Sequence, residues 1–336
     1  MPAAWIQFED RSTLPEFNAS RSTSISAGYF DQWNVTAACK QRGLFYLGGA
    51  DILTGDPFGI FEITIHASER TSILVLPQVV TLPDFLIMPS GSFGDCQPRR
   101  NAPEQTIHAS TVREYVHGDS VRMIHWPTTA RTNKVFVRLM ESAPAGDWWI
   151  LLDLDKKNIF GEGWNSIEEQ SVTLAASLTS MGLRNRKAVG LITNSKDPAW
   201  IHPQKGEGQR WEIMQSLALA QPGDLGLDKT LERIQPSLGK HHSLIIITAS
   251  TKTDWLKSLL PIIKRGIVPT VLLLDSSTFG GKESPELIAA ALEGRGINYH
   301  IIPHGLLEPP RTLPRQQSNW KWRTTSTGEI VPISSS

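Results

Sequence analysis

Trp148-Trp149-Ile150-Leu151-Leu152-Asp153 decides how the second half of this chain folds. Five consecutive apolar residues leave no polar side for water, and such a strand belongs in a sheet covered on both faces. The run ends abruptly on an acid. Runs of the same character recur at 188–192, 244–248, 270–274 and 297–302. Between them lie helix-like stretches at 166–181, 210–220, 254–264 and 284–292. The first places Ile167, Val172, Leu174, Ala175, Leu178 and Met181 largely on one stripe. Pro261 weakens the third, because proline removes a helical donor. Strand and helix alternating at this spacing predict right-handed crossovers and an α/β, doubly wound, mostly parallel sheet. Trp200-Ile201-His202, set between the turn signals Asp197-Pro198 and Gly206-Glu207-Gly208, predicts an added edge strand.

Outward from this core the chain changes character. Residues 1–90 predict a small β-sandwich-like domain, with short runs such as 58–65 and 72–80 punctuated by Gly48-Gly49 and Gly55-Asp56-Pro57. A strand near 29–38 is expected to pair with one near 43–47. Residues 91–111 are rich in Gly, Ser, Pro and Asn and read as a linker. Residues 112–141 join the domains, 142–308 form the α/β domain, and 309–336 read as a flexible tail with partial order at most.

Composition narrows the function classes. Lys plus Arg equal Asp plus Glu at 33 each, so no global field draws the 336-residue chain to nucleic acid or an acidic membrane. Cys39 and Cys96 lie far apart without the paired spacing of a zinc site, which fits reduced thiols in a cytoplasmic protein. No stretch nears the roughly 18 to 20 apolar residues that span a bilayer. Residues 1–10 lack the pattern of a signal peptide.

The densest stretch is Val112-Arg113-Glu114-Tyr115-Val116-His117-Gly118-Asp119-Ser120-Val121-Arg122-Met123-Ile124-His125-Trp126, continuing to Ala130-Arg131. Guanidinium forks, two acids and aromatic faces at this density predict a buried or half-buried ion-pair network. Gly118 suits a tight turn. Its functional alternative is an anion or phosphate site built from Arg113, Arg122 and Arg131. Two acids cannot each satisfy three arginines, which leaves one arginine over.

Arg113-Glu114-Tyr115-x-x-Gly118-Asp119-x-x-Arg122-x-Ile124-x-Trp126-x-x-x-Ala130-Arg131 closely resembles the signature of the bacterial domain of unknown function 58 family. Arg42-Gly43 and Asp56-Pro57-Phe58-Gly59 resemble its strand and turn markers. That resemblance implies a von Willebrand A-like C-terminal domain, association with a MoxR-type AAA+ ATPase, and no established enzymatic activity. Members usually carry two N-terminal membrane helices, and a native anchor of that kind would place the protein at a membrane.

Von Willebrand A domains hold a divalent cation through Asp-x-Ser-x-Ser after the first strand, with a Thr and an Asp on later loops. The matching segment here is Asp153-Leu154-Asp155-Lys156-Lys157. Asp155 and Lys157 replace the serines, and Thr248-Ala249-Ser250 stands where a later Asp is expected. Asp153 and Asp155 are therefore the candidate metal ligands of a degraded site. Mg²⁺ would be its ion, since hard cations take oxygen ligands. An ammonium from Lys157 could serve as internal counterion instead. No Gly-x-Gly-x-x-Gly follows the Trp149 strand, and neither a P-loop nor Gly-x-Ser-x-Gly is present. Adjacent His241-His242 would point to opposite faces of a strand. Asp153, Asp155 and Asp275 end predicted parallel strands, the edge where open α/β sheets bind ligands. The expected function is a non-enzymatic scaffold or adaptor without a cofactor. A metal-dependent ligand binder and a protein acting on a phosphorylated ligand are the alternatives.

Overall fold

A computed structural model of the chain describes residues 3–26, 28–56, 58, 60–82, 109–115, 124, 126–132, 134–140, 147–239, 242–267, 269–307, 320–324 and 330–334. It begins with four antiparallel strands, β1 (Ala3–Asp10), β2 (Arg21–Ile25), β3 (Gly43–Gly55) and β4 (Glu62–Val75), in the order β2-β1-β3-β4. Next come β5 (Ala109–Glu114), α1 (Trp126–Thr132) and β6 (Phe136–Met140), with β5 and β6 forming their own antiparallel pair. The α/β unit runs through β7 (Trp148–Leu152), α2 (Ile167–Arg184), β8 (Val189–Thr193), β9 (Trp200–Gln204), α3 (Glu207–Leu219) and α4 (Leu227–Ile234). It continues with β10 (Ser243–Thr248), α5 (Trp255–Lys264), β11 (Pro269–Leu274), α6 (Glu286–Glu293) and β12 (Asn298–Ile302). A hairpin of β13 (Trp320–Thr324) and β14 (Ile330–Ser334) lies in the segment expected to be a flexible tail.

The six strands from β7 to β12 form one sheet in the order β12-β11-β10-β7-β8-β9. Counted within the domain, that is the doubly wound order in which the chain reverses direction between its first and fourth strands. All pairings are parallel except β8 with β9, where the edge strand runs backwards. The two-sided burial predicted from the Trp148 run is literal. Trp148, Ile150 and Leu152 enter a core with α2 and α3, while Trp149 and Leu151 enter a second core with α4, α5 and α6. Each such buried Leu or Ile stabilises the fold by about 1.5 to 3 kcal/mol relative to exposure. Helix α5 persists through Pro261 because Trp255, Leu256, Leu259 and Ile262 are all buried along one side.

Helix α2 starts where Ser166 caps it, its hydroxyl accepting the Glu169 N–H at 3.2 Å, with Glu168 and Glu169 at the positive end of the helix dipole. This helix is buried on nearly every side. One side meets the sheet. Another is crossed by the segment after β4, whose Leu76, Val80 and Leu82 join the same core and whose Val80 N–H donates to Ser177 Oγ at 2.9 Å.

The sandwich expected for residues 1–90 is not confirmed. Among the described residues there is one four-stranded sheet, and 29–38 forms no strand. Instead, β3 is 13 residues long and pairs with both β1 and β4. Parts of β3 and β4 approach α3, while Glu62–Ser72 of β4 stays exposed. Among the described residues no helix is long and apolar enough to cross a membrane.

Candidate functional site

Parallel strands bring their C-terminal ends to a common edge, where Asp153 and Asn194, just past β7 and β8, meet Thr248, the last residue of β10. Asp153 is buried with three donors around its carboxylate. Thr248 Oγ1 donates to Oδ2 at 2.6 Å, Asn194 Nδ2 donates to Oδ1 at 2.6 Å, and the Asp155 N–H donates to Oδ1 at 3.3 Å. Asn194 can sit only one way round. Its Oδ1 accepts the Leu154 N–H at 2.5 Å and its Nδ2 also donates to Leu225 O at 2.7 Å, so a flipped amide would set donor against donor and acceptor against acceptor. Thr248 Oγ1 accepts from the Ser250 N–H at 3.0 Å, which directs its own hydrogen to Asp153. Burial pushes the Asp153 carboxyl above the usual aspartate value. The hydrogen bonds from Thr248, Asn194 and the Asp155 backbone oppose that shift, and the nearby Asp155 charge adds to it.

The loop 223–225 closes over this edge. Gly223 N–H donates to Leu154 O at 2.9 Å and its carbonyl accepts from Lys156 N–H at 3.0 Å. A Cβ at Gly223 would stand 2.5 Å from Asn194 O, so only glycine allows this approach.

This donor set does not suit a hard divalent cation. Such an ion needs several converging oxygens, whereas Asp153 Oδ1 faces two N–H groups and Asn194 offers it nitrogen. Asp155 does not converge either: its Oδ1 accepts the Lys157 N–H at 3.1 Å and caps a short 3-10 turn. Among the described residues, no group of three or more His, Cys, Asp or Glu side chains is placed to hold a metal ion. The counterion expected from Lys157 is also corrected. That side chain is exposed and only its backbone N–H is used, because the neutral donors Thr248 and Asn194 already surround the carboxylate. Asp275 stays with its own turn, accepting from Ser277 N–H at 3.1 Å and Ser277 Oγ at 2.6 Å.

The arginine-rich segment is described only in part. Arg113 lies in β5 opposite Val137, and the Tyr115 N–H donates to Val135 O at 2.8 Å. Glu114 pairs with Lys134 at 3.1 Å with both side chains more than half exposed. Trp126 and Arg131, on α1, are exposed as well. Gly118, Asp119 and Arg122 lie outside the described residues. Glu114, Trp126 and Arg131 are thus at the surface.

A buried arginine does tie the N-terminal sheet to the α/β unit, and it is Arg42. Its side chain is 4% exposed. Nη2 donates to Glu168 Oε1 at 2.7 Å and Ala220 O at 2.8 Å, Nε donates to Leu217 O at 3.0 Å, and Nη1 pairs with Glu169. Carbonyls in the last turn of α3 have no intrahelical partner, and this fork supplies one. Burial raises the Glu169 carboxyl, Arg42 works against the rise, and Glu168 adds to it. Only the Arg42-Gly43 pair was visible as a marker; nothing local pointed to partners more than a hundred residues away.

Fold and site together define a doubly wound α/β protein whose strand-end acid is closed inside a neutral hydrogen-bond network. The chain belongs to the family described as protein of unknown function DUF58, whose model matches residues 111–278. It is 22% identical over 182 residues to the uncharacterized protein YeaD of Bacillus subtilis, covering 53% of this chain and 43% of that one. It is 25% identical over 170 residues to the uncharacterized protein Rv1480 of Mycobacterium tuberculosis, covering 48% and 53%. The chain spans about half the length of the curated relatives it matches. Among solved structures it aligns with the SpRpn10 VWA domain at 16% identity and TM-score 0.33, covering 48% of this chain and 89% of that one. It also aligns with a von Willebrand factor type A protein from Catenulispora acidiphila at 10% identity and TM-score 0.31, covering 47% and 39%.

Proposed function

We propose that this protein is a non-enzymatic adaptor whose α/β unit presents its strand-end edge to a protein partner without a bridging cation. The observation that carries this reading is the closed network at Asp153, in which Thr248, Asn194 and the Asp155 N–H take up the carboxylate oxygens. A partner acid therefore has no metal to complete, and recognition falls to surface shape and side chains around the edge. The partner implied by the family resemblance is a MoxR-type AAA+ ATPase, in complex or envelope assembly.

The test is co-purification of the chain with a MoxR-type ATPase from its own organism, with and without EDTA during the wash. A complex recovered equally under both conditions is the expected result. Failure to form any complex at micromolar concentration overturns the adaptor reading, and a complex lost only in EDTA overturns its cation independence. The melting temperature of the isolated chain is likewise expected not to move with excess Mg²⁺ or Mn²⁺, because a ligand that binds the folded state must raise it.

A further inference from the structure

Strand β4 is an outer strand of the N-terminal sheet, and every residue from Glu62 to Ser72 is exposed. Its pairing with β3 is unbroken from Glu62 opposite Gly55 to Ala67 opposite Ala50, and among the described residues no strand pairs with its other side. Natural sheets protect such an edge with lysine, proline or a bulge. The stretch Glu62-Ile63-Thr64-Ile65-His66 has no lysine or proline, and the only irregularity in the strand lies beyond Ala67. Ile63 is 62% exposed and Ile65 53%, with Phe61 at 73% just before them.

We infer that this edge pairs with the same edge of a second copy of the chain, antiparallel about a two-fold axis at Thr64. The occupant is indicated by self-complementarity. In that register Ile63 faces Ile65 of the second copy, Thr64 faces Thr64, Glu62 faces His66, and Phe61 flanks Ala67. The first three are favourable cross-strand combinations: β-branched with β-branched, hydroxyl with hydroxyl, and an acid with the imidazole that Asp51 also holds. Moving the axis one residue along, to Ile65, sets Phe61 against Glu69 and Thr64 against His66, which places charge against hydrocarbon. A two-fold interface must use one patch twice, and this five-residue stretch matches its own reverse. The joined sheet would run through eight strands, β2-β1-β3-β4 from each copy, and would remove the exposed edge.

Sedimentation equilibrium tests the pairing directly. Wild-type chain is expected at twice the chain mass at micromolar concentration. Thr64→Lys, which sets two ammonium groups against each other at the axis, is expected at the single-chain mass with an unchanged thermal melt, since Thr64 is exposed in the single chain. With Cys39 and Cys96 replaced by serine, Thr64→Cys is expected to form an intermolecular disulfide on mild oxidation. Ser68→Cys, which faces Ile60 of the second copy in this register, is not. A wild-type chain that stays single across the micromolar range overturns the inference. So does a Thr64→Lys protein that remains double, or a Ser68→Cys protein that crosslinks where Thr64→Cys does not.

Discussion

Replacing Arg42 with alanine is expected to destabilise the protein by about 3 to 5 kcal/mol, the usual loss when one partner of a buried ion pair is removed. The variant would strand Glu168 and Glu169 beside each other and deprive Leu217 O and Ala220 O of a donor. Both consequences act in the same direction, and neither can be relieved by water while the side chain's place stays closed. Lysine is expected to recover little of the loss. Four acceptors arranged around a planar fork cannot be met by one ammonium at the end of a flexible stem. The measurement is a thermal or denaturant melt of R42A and R42K, with a fall in melting temperature of roughly 10 °C for the alanine variant. An unchanged melt would show that the fork adds nothing beyond packing.

Asp153→Ala is expected to cost a similar amount, about 3 to 5 kcal/mol, because three buried donors lose their acceptor at once. Asp153→Asn should cost less, since its carbonyl can still accept from Asn194 and the Asp155 N–H. The pH dependence separates the charge from the shape. Burial raises the folded carboxyl above its ordinary value, so the native state holds a proton at pH values where the unfolded chain has released it. Stability contributed by this group therefore falls as pH rises from the ordinary aspartate range through the raised folded value, and then levels off. D153N cannot ionise and escapes that fall. The stability advantage of wild type over D153N should thus be largest in acid and shrink as pH climbs through that window. An advantage that instead widened with pH would mean that the three hydrogen bonds outweigh burial and hold the carboxyl low.

Much of the α/β unit could be read from residue order. The helix at α4 was not: Leu227, Leu231 and Ile234 form a clear stripe, but eight residues between a turn and a proline are too few to stand out as periodic. The failure at the N-terminus has a different cause. Alternating strands announce that one face will be covered but not by what, and helices α2 and α3 lie far along the chain. The same limit applied to the arginine-rich segment. Density of charge and aromatics showed that its residues need partners, yet Glu114 finds Lys134 at the surface.

For the site, the loss of the serines after Asp153 was legible, because ligand chemistry follows from residue type. What replaced the cation was not. Asn194 and Thr248 reach Asp153 from 41 and 95 residues away, and no local pattern marks an amide or hydroxyl that a buried acid will use. By itself, then, the sequence determined the two-faced sheet, its alternating helices and the poverty of its ion-binding residues, since periodicity and side-chain chemistry are local properties. Only the tertiary structure decided that a neutral network closes over Asp153 and that Arg42 ties the two units together. Both depend on long-range contacts, and a buried charge can be judged only by the donors and acceptors that folding brings around it.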